Sequence, residues 1–176
     1  MTSGTGGPFY KRFRPHDSGA FALEAEQLRV ALTNSTGLSD AELLTLHLDL
    51  GFILIALEHE DEALGHLEAG RDLAVALGDA DALIEAHLHL GTAQQYRGMR
   101  EAAQESFQQG LDLCESTHSE EQVHFLLHHR GRCLVEQGHI AEARDCFEQA
   151  LARRRELGDA RLIASSAAAL ADLPDA

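Results

Sequence analysis

Tryptophan is absent, proline occurs only three times, and aromatic residues make up 5% of the 176 positions. Sheets draw on aromatic and β-branched side chains, so this composition, dominated by Leu and Ala, argues against a β-sandwich and for packed helices. Basic residues are also scarce: 14 Lys and Arg stand against 29 Asp and Glu, a net charge of −15. Phosphate backbones are gripped by clustered cations, so no nucleic acid and no anionic membrane is expected as a partner. The three cysteines (Cys114, Cys133 and Cys146) are an odd number without a CxxC. That argues against a disulfide framework and fits a reducing cytosol. No run of about 18 apolar residues spans a membrane. Residues 1–18 lack the apolar core of a signal peptide. The expectation is a soluble, cytoplasmic protein with enough apolar residues, 44%, for a core.

What the chain does contain is a repeat. Gly51, Gly91 and Gly131 fall 40 residues apart, and so do Ala63, Ala103 and Ala143. Leu67, Phe107 and Phe147 keep the same interval, followed by Gly70, Gly110 and Ala150. Self-similarity at a fixed period is the signature of stacked supersecondary units. Each unit reads as two helices. The turn within it is expected at His59-Glu60-Asp61, Gly98-Met99 and Gly138-His139; the acids at 58–62 read as helix-start charges. Between units, Gly78 and Gly158 stop a helix, and Asp79 and Asp159 can cap the next. Small residues on one helix let it approach the other closely, and the Leu67/Phe107/Phe147 column supplies wedges between hairpins. One hairpin cannot bury such faces alone, whereas three stacked hairpins can.

The Leu-Gly pairs (Leu50-Gly51, Leu90-Gly91), Gly131, and the sets Ala63/Leu67/Gly70, Ala103/Phe107/Gly110 and Ala143/Phe147/Ala150 resemble the tetratricopeptide repeat over roughly residues 40–172. The period is 40 rather than the family's usual value of about 34. His47, His87 and Leu127 stand where the family has an early Trp, and the terminal Pro is absent. The resemblance implies an all-α fold, a right-handed superhelical stack of antiparallel helix hairpins (an α-solenoid). The boundaries read as a flexible segment 1–17, a capping helix 18–34, repeats at 40–78, 80–118 and 119–158, and a capping helix 160–172, the single domain covering 18–176.

In the resembled family the first helix of each hairpin lines a concave groove. Carried over by position, the partner-binding residues here are Leu48, Phe52 and Ile55, then His89, Gln95 and Tyr96, then Phe125, His128 and Arg132. Asp49, Glu85, Thr92, His129 and Glu136 stand on the same helices. The Lys/Asn/Arg clamp that one branch of the family uses on a terminal carboxylate is not expected, because Arg132 is the sole such charge. The partner implied is a protein or peptide, an apolar or basic segment being favoured. The helix over Leu43–Leu57 is apolar nearly all round. Either helices 18–34 and 60–77 bury it, or Leu48, Phe52 and Ile55 form an exposed patch for a partner or a homodimer.

Catalytic and metal chemistry find little support. His124 and His128 stand at i, i+4, a spacing that can chelate Zn²⁺, but no HExxH accompanies them. His47 and His87 share a repeat column and read as structural. Cys133 and Cys146 read as core residues. The GTGGP at 4–8 lacks the strand–helix context of a phosphate loop. The expectation is therefore no enzyme, no cofactor and no metal site. A protein-interaction scaffold is the first reading. A homodimerising module, a chaperone or regulatory sensor, and a His-based metal-binding protein are the alternatives, in that order.

Overall fold

The computed structural model describes residues 12–174, which hold eight α-helices and no strand. In order they are α1 (Ser18–Thr33), α2 (Asp40–Ala56), α3 (Glu60–Leu77), α4 (Ala80–Tyr96), α5 (Arg100–Thr117), α6 (Val123–Gln137), α7 (Ile140–Leu157) and α8 (Ala160–Ala171). Consecutive helices pack on one another, and α2, α4 and α6 also touch in succession. The result is a helical solenoid of three hairpins, α2–α3, α4–α5 and α6–α7, with α1 against the first and α8 against the last. The GTGGP at 4–8 lies outside the described residues. No helix among them is long and apolar enough to cross a membrane.

Local chemistry sets the helix ends. Asp17, Asp79 and Asp159 each accept a backbone N–H of the turn they open, at 2.8–3.0 Å. Ser39 and Glu42 form a reciprocal capping box ahead of α2. The stops are periodic in backbone conformation as well as sequence. Within each hairpin one residue has positive φ: Glu58 at 65°, Gly98 at 80° and Gly138 at 80°. Between hairpins the same holds for Gly78 at 68°, His118 at 57° and Gly158 at 77°. The first set closes with paired bonds. Glu58, Gly98 and Gly138 donate to the carbonyl three residues back, and His59, Met99 and His139 to the carbonyl five back. This is a Schellman closure repeated three times. It corrects the expected first turn: the chain reverses at Glu58 rather than at His59-Glu60-Asp61, and Glu60 already begins α3. Glu58 escaped notice because a left-handed position held by a non-glycine leaves no compositional mark. Glu60, Asp61 and Glu62 do occupy the positive start of α3, as their charge suggests.

The repeated columns meet as their sizes require. A Cβ on Gly51 would collide with the Leu67 side chain, one on Gly91 would lie 2.5 Å from Phe107 Cε1, and one on Gly131 2.8 Å from Phe147 Cε1. Gly70 and Gly110 likewise admit Leu48 and Leu126, with the Cβ atoms of His47 and His87 beside them. His47 and His87 thus stand over the second glycine column, consistent with a packing role. Ala63, Ala103 and Ala143, with Leu67, Phe107 and Phe147, are completely buried. Two apolar clusters result, one centred on α2–α3 and one on α5–α7. They join through α4, which gives Ala86, Leu90, Ala93 and Tyr96 to the first and Ile84 and Leu88 to the second.

The apolar helix α2 is largely enclosed. Leu48 and Ile55 are each 5% exposed, and Phe52 is 41% exposed. The neighbours on either side cover the remainder, which reduces the supposed apolar patch to one aromatic ring.

Candidate partner-binding groove

The first helices of the three hairpins, together with α8, enclose a concave cavity of about 590 Å³. Its lining follows the repeat. Asp49, His89 and His129 occupy one 40-residue column, Phe52, Thr92 and Arg132 the column three residues on, and Glu85, Phe125 and Ser165 a third. Positions three and four apart share a helix face, so each unit presents the same face to the cavity with different side chains.

Of the nine groove residues expected from sequence, seven line the cavity: Phe52, Ile55, His89, Tyr96, Phe125, His128 and Arg132. Leu48 and Gln95 are elsewhere. Leu48 fills the space left by Gly70. Gln95 is fully buried and donates to Glu136 Oε1 at 2.7 Å, and Glu136 in turn receives Arg100 Nε at 3.1 Å. Asp49, Glu85, Thr92 and His129 also line the cavity, and Glu136 does not.

The two ends of the cavity differ in charge. On α2 and α4, Glu85 Oε1 lies 3.4 Å from His89 Nε2, and this bond holds the Glu85 carboxyl below its usual range. Burial, reinforced by Glu85 and Glu24, pushes the Asp49 carboxyl up. Phe52 leans on the His89 ring, centroids 5.2 Å apart. On α6 and α7 the groups are cationic or neutral. Arg132 Nη2 donates to the Tyr96 hydroxyl at 2.7 Å. His129 Nδ1 lies 3.3 Å from Thr92 Oγ1, and burial with the nearby Arg132 keeps its ring neutral, far below an ordinary histidine.

Sequence reasoning missed Arg154. It is 2% exposed yet lines the cavity. Its Nη1 donates to Ser166 Oγ at 2.8 Å and to the Leu162 carbonyl at 3.2 Å, and its Nε to His124 Nδ1 at 3.2 Å. These acceptors are neutral, and burial lowers its pKa to about 10. The available signal was a column that reads Ala74, Cys114, Arg154: a charge where two earlier units bury small side chains.

Phe13, ahead of α1, lines the opposite end of the cavity. Of the segment expected to be flexible, residues 1–11 lie outside the described part. Arg12, Phe13 and Arg14 bond to the first two hairpins.

The groups considered for chemistry are engaged in packing. His124 Nδ1 accepts from Arg154, and His128 Nδ1 lies 3.2 Å from Ser166 Oγ. Among the described residues no set of three His, Cys, Asp or Glu side chains is grouped to hold a metal ion. All three cysteines are free and buried, and burial pushes the Cys133 thiol up to about 11. That leaves very little thiolate at neutral pH.

Residues 124–157 match the family model of the tetratricopeptide repeat. These residues are the third hairpin. No curated protein matches the chain. Among solved structures, the chain is similar to the TPR domain of Arabidopsis FLU, with 18% identity and a TM-score of 0.64, covering 67% of this chain and 99% of that one. It is also similar to nearly identical TPR-like repeats of a Podosopora anserina protein named for kinesin light chain. There the identity is 20% and the TM-score 0.67, with 87% of this chain and 76% of that one covered. At such identities the likeness speaks for the fold.

Proposed function

We propose that this chain, a helical repeat of the tetratricopeptide type, is a protein-interaction scaffold that takes a segment of a partner protein into its concave groove. Repeat arrays of this kind generally use their concave surfaces for binding. The observation that carries the reading is the convergence of three repeat columns on one cavity of about 590 Å³, with an aromatic and aliphatic floor and charged groups at its ends. Clefts of this size that combine apolar walls with placed polar groups suit side-chain anchors. Our reading is of a scaffold without catalytic chemistry or a cofactor, working in a reducing compartment, the cytoplasm. Phe52, Ile55, His89, Tyr96, Phe125, His128 and Arg132 are the residues we assign to the partner. The 29 acids favour a partner segment that is apolar or basic.

The test is affinity capture from native lysate with the full chain and with a Phe52→Ala/His89→Ala variant, both checked by circular dichroism for helix content. Phe52 is exposed and His89 borders the cavity with its ring against Phe52, so a variant whose helix content is unchanged should lose the captured protein. Equal recovery by both would count decisively against a groove-bound partner.

A further inference from the structure

A piece of this chain lies along the N-terminal rim of the groove. Arg12 leaves the segment before α1 and buries its side chain to 8% exposure. Its Nη2 donates to the Ile55 carbonyl at 3.0 Å and pairs with Glu60, while its guanidinium lies 4.2 Å over the Tyr96 ring. Ile55 is in the last turn of α2, where the helix dipole favours a cation, and the aromatic face adds a cation–π contact. The Phe13 amide donates to the Tyr96 hydroxyl at 3.2 Å, the oxygen that also receives Arg132. Arg14 Nε meets Glu58 Oε1 at 3.1 Å.

This niche is built for a guanidinium. It supplies a carboxylate, a helix-terminal carbonyl and an aromatic face, within a chain of net charge −15. Phe13, 49% exposed, follows the arginine along the rim of the cavity that it lines together with Tyr96 and Arg132.

We propose that Arg12 and Phe13 are a built-in ligand of the groove, and that a partner enters by displacing them with an arginine-plus-aromatic segment of its own. The proposal rests on the groove being the partner's site, and adds the partner's chemistry and an autoinhibitory contact. A groove occupied by its own segment binds with an apparent affinity reduced by the fraction that is open. Loosening the segment therefore raises affinity without any new contact to the ligand.

The probe is a fluorescein-labelled synthetic peptide of residues 11–17, KRFRPHD, titrated by anisotropy into the full chain. Arg12→Ala should bind it about tenfold more tightly than the unaltered chain. Arg12→Ala/Glu60→Gln should lose that gain, because the peptide's arginine then lacks its carboxylate. Equal affinity for the unaltered chain and Arg12→Ala overturns the proposal, as does indifference to Glu60→Gln. So does a dimer by light scattering that Arg12→Ala converts to monomer, since the segment would then be exchanged between copies. The capture experiment with Phe52→Ala/His89→Ala reads the groove independently. Its success beside an unchanged peptide affinity condemns the built-in ligand alone.

Discussion

Gly91→Ala puts the packing argument under the most direct stress. A methyl group there would lie 2.5 Å from Cε1, 2.6 Å from Cδ1 and 2.9 Å from Cζ of Phe107. Ordinary carbon contacts sit at about 3.5–4.0 Å, so the ring or the α4–α5 spacing must yield by roughly 1 Å. Phe107 is completely buried and has no solvent to retreat into. Overpacking a well-packed core costs about 1–3 kcal/mol, and three ring atoms blocked at once argue for the upper end. Alanine's helix preference returns about 1 kcal/mol, leaving a net loss of roughly 2 kcal/mol. For a chain of this length that lowers Tm by about 4–8 °C. Gly65→Ala is the control. Gly65 lies inside α3 with nothing within 4 Å of the added atom, so only the propensity gain applies and Tm should rise by about 2–4 °C. In a double-mutant cycle, Phe107→Ala alone should cost about 3–5 kcal/mol, and combined with Gly91→Ala less than the sum by 1 kcal/mol or more. Differential scanning calorimetry reads all four variants against the unaltered chain. If Gly91→Ala raises Tm as Gly65→Ala does, or if the two changes add within about 0.5 kcal/mol, the meshing of the two columns does not hold the hairpins together.

His118→Gly relieves a left-handed non-glycine at φ 57° and should stabilise by about 0.5–1 kcal/mol, while Gly138→Ala, at φ 80°, should cost about 1 kcal/mol; chemical denaturation checks both signs. Stability should fall as pH drops from 7.5 to 5.5. Burial holds His47, His87 and His124 below the ordinary histidine value, and His129 well below it, so the unfolded chain takes up protons near pH 6.5 that the folded chain refuses. Glu62, held low by Arg29, and Glu85, held low by His89, extend the loss towards pH 4, against the opposite effect of Asp49. A urea midpoint unchanged or higher at pH 5.5 contradicts this assignment. Cys133, fully buried and with its thiol raised to about 11, should resist Ellman's reagent in the native chain and react on unfolding; rapid native labelling refutes its burial. Arg154→Cys/Ser166→Leu should be less destabilising than the sum of its single changes by about 1 kcal/mol or more, because each single change already breaks the one buried bond the two side chains share; additive melts would separate the two positions.

Much of the fold was legible because the repeat repeats its physics. Gly51, Gly91 and Gly131 can be read as close-approach positions without knowing their contacts, since three units place a large side chain sixteen residues on. The caps at Asp79 and Asp159 were legible for the same reason: a carboxylate after a glycine carries its own mechanism. The groove was legible by column rather than by residue type. Asp49, His89 and His129 look unrelated in composition, and only their common register puts them on one wall. The failures have equally local causes. Leu48 and Gln95 stand on the right helices but off the groove face, where Gly70 of its own hairpin makes room for Leu48 and Glu136 of the next hairpin binds Gln95. Glu58 takes a backbone conformation that glycine holds in the other two units. The docking of Arg12 depends on Glu60 and Tyr96, 48 and 84 residues away, and no periodicity links them.

Arg154 shows how the array can change its chemistry while holding its period. Ala74, Cys114 and Arg154 share one column, and Ala86, Leu126 and Ser166 share the column on the following helix; all six are buried. By register the two columns read Ala and Ala, Cys and Leu, then Arg and Ser. In the last pair the long side chain has moved to the other helix, and its Nη1 meets the serine hydroxyl that makes room for it. The cost of burying the guanidinium is met by Ser166, Leu162 and His124. The same substitution brings a cation to the cavity wall beside α8. A solenoid whose neighbouring units interact only pairwise can accept such a swap at one interface without disturbing the next. That independence is why a groove with acids on α2 and α4 and arginines on α6 and α7 can be assembled from three copies of one hairpin.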